Sequence, residues 1–88
     1  MKEEKLDLLK IVLKPYTLGI LKTLMGKSMR YVDLKKQVKN DRTLSLKLST
    51  LQDQGLIRMI HVKSNGKYVN LYEITQKGKS ILDGLKRI

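Results

Sequence analysis

Cysteine is absent from the 88 residues. That absence excludes disulfides, thiol chemistry and Cys-ligated zinc or iron–sulfur sites. Histidine occurs once, as His61, so no multi-histidine metal site can form within one chain. No apolar run approaches the roughly 18–20 residues of a membrane span. The opening Met1-Lys2-Glu3-Glu4-Lys5 lacks the apolar segment and small-residue cleavage site of a signal peptide. Acidic residues are scarce and scattered. No nucleophile, base and orienting residue are grouped, and no glycine-rich phosphate loop is present. The expectation is a cytoplasmic, nucleoid-associated protein that is not an enzyme and needs no metal, cofactor or membrane.

Positive charge dominates what remains. Nineteen Lys and Arg against eight Asp and Glu give +11. Residues 1–14 carry +1, 15–40 carry +5, 41–55 carry 0, 56–75 carry +2 and 76–88 carry +3. The excess is spread along the chain and is no detachable tail. Such a field attracts polyanions, DNA or RNA first and acidic membranes second. A solubilising surface, or lysine enrichment in a heat-adapted protein, is the plainer alternative. RNA is disfavoured because only Tyr16, Tyr31, Tyr68 and Tyr72 are available to stack on bases, and at least two of them read as buried.

The length suits one small domain over 1–88, with a thin core. Apolar spacing predicts a first helix over Lys2–Leu13, with Leu6, Leu9 and Leu13 on one stripe widened by Leu8, Ile11 and Val12. Lys14-Pro15 ends it. A second helix runs from Pro15 or Tyr16 to Met25, with Leu18, Leu21 and Met25 on one face, Ile20 and Leu24 beside them, and Gly26 as its stop. Ser28 is the expected cap of a third helix over Arg30–Lys39, facing inward through Tyr31, Leu34 and Val38. Between Thr43 and Leu51 two patterns compete. Leu44, Leu46 and Leu48 alternate as in a strand, whereas Leu44, Leu48 and Leu51 follow a helix. The helix is favoured, because Asn40 or Asp41 can cap it, leucine prefers helix and Gln54-Gly55 ends it well. Leu46 then points away from the core.

From Leu56 the period changes to two. Ile57–Ser64 and Lys67–Ile74 flank Asn65-Gly66, the strongest short hairpin signal. That turn pairs Val62 with Val69, Ile60 with Leu71 and Arg58 with Glu73 on one face, and Met59 with Tyr72 and Ile57 with Ile74 on the other; His61 sits across from Asn70. Thr75 caps a last helix over Gln76–Arg87, with a stripe of Ile81, Leu82, Leu85 and Ile88. Gly78 is expected to allow this helix to pack closely. The order α-α-α-α-β-β-α is that of a winged helix-turn-helix.

Residues 15 to 82 resemble the winged-helix transcriptional regulators, nearest to the HxlR, PadR and MarR groups. Tyr16-Thr17-Leu18-Gly19-Ile20-Leu21 followed by Gly26-Lys27-Ser28-Met29-Arg30-Tyr31-Val32-Asp33-Leu34 resembles the HxlR-type opening. Leu44, Leu48 and Leu51 followed by Gln54-Gly55-Leu56-Ile57 resemble a recognition helix and its exit. Tyr72-Glu73-Ile74-Thr75-Gln76-Lys77-Gly78 resembles the return from the wing. Tyr16 stands where HxlR-like members commonly have tryptophan, and the sensing cysteine of some relatives is missing.

The resemblance implies a transcription regulator whose helix over about 41–54 enters the major groove of double-stranded DNA. With the leucines inward, Arg42, Leu46, Ser49 and Asp53 lie opposite, and Thr43, Ser45 and Thr50 lie on the flanks. Arg42 suits guanine, whose two acceptors match its fork, or else a phosphate. Leu46 suits a thymine methyl if exposed, or the core if the helix is rotated. Ser45, Ser49 and Thr50 suit bases or phosphates, or simple exposure. Lys63, Asn65 and Lys67 form a wing tip fit to grip the backbone, and Lys27 and Arg30 precede the third helix as a second clamp. Arg58 is either a phosphate contact or an ion-pair partner of Glu73. The terminal helices carry more apolar surface than a small core needs. Leu6, Leu9 and Leu13 at one end and Ile81, Leu85 and Ile88 at the other therefore suggest a homodimer. A non-specific architectural DNA protein and a protein–protein interaction module of the same fold are the alternatives.

Overall fold

The computed structural model describes residues 9–86. The expected helix start at Lys2, with Leu6 and Leu8, lies outside the described residues, as does Ile88. α1 is helical over 9–12 and closes with Leu13 N donating to the Leu9 carbonyl at 3.0 Å. α2 (Thr17–Gly26), α3 (Tyr31–Leu34) and α4 (Asp41–Asp53) follow, then the antiparallel strands β1 (Ile57–Ser64) and β2 (Lys67–Ile74), then α5 (Gln76–Lys86). This is the winged helix-turn-helix order that the hydrophobic periods predict. Among the described residues no helix is long and apolar enough to cross a membrane.

The core is aliphatic. Val12, Ile20, Leu21, Leu24 and Leu34 from the first three helices, and Val38 beyond α3, meet Leu44, Leu48 and Leu51 of α4, Leu56, Ile57 and Ile74 at the root of the hairpin, and Leu82 of α5. Each such side chain contributes about 1.5–3 kcal/mol through burial. It also ties an element with little autonomous stability to its neighbours.

Four local expectations give way to the observed structure. α2 begins at Thr17, not at Pro15 or Tyr16. Tyr16 sits at φ 69°, and this left-handed residue turns the chain between α1 and α2. The inward face of α2 is then Thr17, Ile20, Leu21 and Leu24, with Leu18 at its margin and Met25 exposed. Met25 is therefore no core residue. The third helix ends at Leu34, and residues 35–37 form a turn where helix to Lys39 was expected. Leu34 and Val38 are still both buried, because the turn carries Val38 back to the core. Its cap is Arg30 and not Ser28. The Asp33 carboxylate accepts from the Arg30 backbone N–H at 3.4 Å and from its guanidinium Nε at 3.3 Å.

The hairpin has the register expected from its turn, from Ile57 opposite Ile74 to Ser64 opposite Lys67. Asn65 at φ 52° and Gly66 at φ 77° both occupy the left-handed region, as a two-residue hairpin turn requires. A contact the spacing did not signal extends this sheet. Met29 and Tyr72 exchange backbone hydrogen bonds, Met29 N to Tyr72 O at 3.0 Å and Tyr72 N to Met29 O at 2.7 Å. The α2–α3 connection is thus pinned to β2. At the hairpin's exit Thr75 Oγ1 accepts from Gly78 N at 3.1 Å, which caps α5 as expected. Gly78 is required there. A Cβ at this position would stand 2.6 Å from Ile74 Cγ1 and collide with the Leu56 carbonyl oxygen.

Candidate nucleic-acid interface

α4 is fixed at both ends. The Asn40 side-chain oxygen accepts from Thr43 N at 2.9 Å, satisfying a first-turn donor. At the other end Gly55 N donates to Gln52 O and Leu56 N to Leu51 O, each at 2.9 Å, with Gly55 at φ 73°. This is a Schellman closure, which favours glycine at its left-handed position. Lys77 Nζ donates to the Gln54 carbonyl at 2.9 Å, placing a cation at the negative end of the helix. Thr75 Oγ1 donates to the Gly55 carbonyl at 2.6 Å. The start of α5 therefore braces the end of α4.

With Leu44, Leu48 and Leu51 buried, the opposite side of α4 is open. Arg42, Ser45, Leu46, Ser49, Thr50 and Asp53 are all exposed, and Thr43 is half-buried on the flank. Leu46 is 59% exposed, so the helix is not rotated to bury it. Part of its side chain borders a shallow cleft of about 410 Å³ that also includes Ile11, Lys14, Thr17, Thr43, Lys47 and Thr50.

The N-terminal turn of α4 is joined to α3 by a polar cluster. Tyr31 Oη lies 3.2 Å from Asp41 Oδ1, 3.3 Å from the Asp41 carbonyl and 3.1 Å from Ser45 Oγ. Lys35 Nζ lies 3.0 Å from Asp41 Oδ1. The Lys35 ammonium, helped by the Tyr31 hydroxyl, holds the Asp41 carboxyl below its ordinary value. The Arg30 guanidinium does the same for Asp33. Burial raises the Tyr72 phenol, with Tyr31 adding to the effect.

Every residue of the wing tip from Lys63 to Tyr68 is exposed, including Asn65 and Lys67. Neither lysine makes an ion pair among the described residues. Further down the hairpin Arg58 Nε is paired with the Glu73 carboxylate, which gives Arg58 a structural partner. His61 Nδ1 meets Asn70 Oδ1 across the strands. Lys27 and Arg30 flank the Met29 bridge and are both exposed, but Arg30 is engaged by Asp33. These two residues therefore sit on the α2–α3 connection, apart from the helix and the wing tip in sequence. Sequence reasoning missed the Tyr31 cluster and the Lys77 cap. Their partners are 10 to 23 residues away along the chain, beyond any local pattern.

A third surface lies on the other side of α2. Leu13, Leu18, Met25, Leu82 and Leu85 line an apolar groove of about 540 Å³, with Lys22 at its edge. Leu13 is 62% exposed, whereas Leu9, Ile81 and Leu85 are half-buried.

Solved structures share this arrangement. A candidate MarR-family transcriptional regulator from Enterococcus faecalis V583 superposes with a TM-score of 0.82 at 19% identity, over 99% of this chain and 81% of that one. A candidate HTH-type transcriptional regulator, ytcD, gives 0.75 at 23% identity, over 92% and 84%. HlyU from Vibrio cholerae N16961 gives 0.74 at 22% identity, over 98% and 91%. At these identities the likeness is one of fold. Comparison with curated protein sequences finds no match. The model of the HxlR-like helix-turn-helix family matches residues 11–88. That span takes in the helix with its open outer face, the wing and the α5 brace, and on this evidence the chain belongs to the HxlR-like helix-turn-helix family.

Proposed function

We propose that the protein is a sequence-specific DNA-binding transcription regulator that acts as a homodimer. The observation that carries this reading is the outer face of α4. It is a rigidly capped helix exposing Arg42, Ser45, Leu46, Ser49 and Thr50, in a chain of charge +11. α4 enters the major groove, where Arg42 reaches guanine and Leu46 a thymine methyl. Thr43, Ser45, Ser49 and Thr50 complete the contact. Lys63, Asn65 and Lys67 hold the adjacent backbone or minor groove, and Lys27 and Arg30 contact phosphates nearer α3.

One such helix reads only a few base pairs, so a twofold pair of sites raises specificity. The apolar groove between α2 and α5 and the exposed Leu13 support joining two copies through their terminal helices. Leu13 and Leu85 line that groove, Leu9 and Ile81 are half-buried on the same terminal helices, and Leu6 and Ile88 are assigned from the sequence alone. Two recognition helices would then stand about 34 Å apart.

Selection of bound duplexes from a random library, at two salt concentrations, tests the reading. A defined sequence with two symmetric halves is the expected result. Equal binding to all sequences with a steep salt slope would replace it with an architectural role. Sedimentation equilibrium at micromolar concentration tests the dimer, and a clean 10.2 kDa species would remove it.

A further inference from the structure

The Tyr31 cluster restricts what Ser45 can do. A serine hydroxyl ordinarily donates one hydrogen bond and accepts two, so it tolerates either kind of base edge. Here its freedom is limited by a chain of acceptors. The Asp41 carboxylate, held ionised beside Lys35, can only accept. So can the Asp41 carbonyl. Tyr31 Oη faces both, at 3.2 and 3.3 Å, and has a single proton to give. That proton goes toward Asp41. The Tyr31 oxygen, 3.1 Å from Ser45 Oγ, is then left to accept, and Ser45 must donate to it. The reverse polarity would leave the phenol oxygen against two acceptors with no hydrogen between them. Ser49 has no side-chain hydrogen bond of this kind among the described residues and keeps both roles.

We propose that Ser45 presents only lone pairs to the groove, and so selects an exocyclic amino group, cytosine N4 or adenine N6, on the base edge that it meets. The assignment rests on α4 being the reading helix. An acceptor also repels phosphate oxygens, which favours a base contact at this position over a backbone contact. Tyr31 touches no base in this scheme and acts as a positioning residue through Ser45.

The test starts from the sequence selected by the full-length protein. Each adenine in the site is replaced by purine, and each cytosine by 2-pyrimidinone, which removes one amino group at a time. One such replacement per half-site should weaken the unsubstituted protein about threefold to tenfold, the worth of one hydrogen bond. Ser45→Ala should be indifferent to that same replacement. Tyr31→Phe keeps the ring and frees the serine proton, so the discrimination at this position should fall below about twofold while the rest of the motif stays. 7-Deazaadenine in place of the adenine, or 7-deazaguanine opposite the cytosine, removes only the N7 acceptor of that base pair and should change nothing. Thermal melting confirms that Tyr31→Phe is folded, and Ser45→Ala reads the same position independently. A selected sequence whose preference ignores both Tyr31→Phe and Ser45→Ala overturns this assignment alone. So does sensitivity to the lost acceptor rather than the lost amine. Failure to select any sequence overturns the reading of α4, and this assignment with it.

Discussion

α4 and the wing tip are both exposed, yet they are built on opposite principles. α4 is rooted by three fully or almost fully buried leucines, capped at Asn40, closed at Gly55 and braced by Lys77. Its stretch 41–55 carries no net charge. The wing tip from Lys63 to Tyr68 has no buried residue, and its fixed feature is the Asn65-Gly66 turn between two lysines. A base edge is read only by groups held to within a fraction of an ångström, which a packed helix provides. A phosphate is bound by charge within reach, which a flexible lysine on a stiff hairpin provides. The contrast implies a division of labour, with discrimination from the helix and sequence-independent attraction from the wing.

The largest effect that distinguishes the two regions is on stability. Leu48→Ala should lower the unfolding free energy by about 2–5 kcal/mol, because it opens a cavity in the core. Val62→Ala on the outer hairpin should change it by no more than about 0.5 kcal/mol. Denaturant titration measures both, and equal losses would mean that the hairpin is anchored as firmly as the helix.

Next comes discrimination. Arg42→Ala should cost about 1–3 kcal/mol on the selected site and much less on random DNA. Equal losses on both duplexes would move Arg42 to the phosphate side of the comparison.

The wing should show the converse behaviour. Replacing Lys63 and Lys67 together by Ala should weaken binding to all sequences alike and lower the slope of log affinity against log salt by about two. A loss confined to the selected sequence would break the division of labour.

The smallest effect is on pH dependence. The folded Asp41 carboxyl lies below its unfolded value because Lys35 and Tyr31 stabilise the anion. Its contribution to stability is therefore complete above the ordinary carboxylate value of about 4 and is lost as pH falls from there through the lower folded value. Both partners are exposed, so the effect is small. The melting temperature of Asp41→Asn should converge on that of the parent protein below this range and fall short of it above. A constant gap across the range would show that the ion pair does not contribute.

Much of this was legible along the chain, for local reasons. Asn65-Gly66 can hardly form anything but a two-residue turn, and period-two alternation then sets the entire register. Leu44, Leu48 and Leu51, with a capping Asn40 and a closing Gly55, outweighed the strand pattern that Leu46 suggested. The parts that were misread depend on remote partners. Met25 looked inward on the helical wheel of α2, but the left-handed Tyr16 sets which face meets the core. α3 had the composition for a longer helix, yet it ends at Leu34, and the turn that follows brings Val38 back to the core.

Fold class, strand register, the buried face of α4 and the positive charge follow from periodicity, turn chemistry and composition, which are read along the chain without knowing which elements meet. The rotation of α2, the bridge from Met29 to Tyr72, the Lys77 cap and the polarity of the Tyr31–Ser45 hydrogen bond were settled only in three dimensions. Each joins groups from different elements, and a hydrogen bond or a buried face has no sequence period when its partner arrives from elsewhere in the chain.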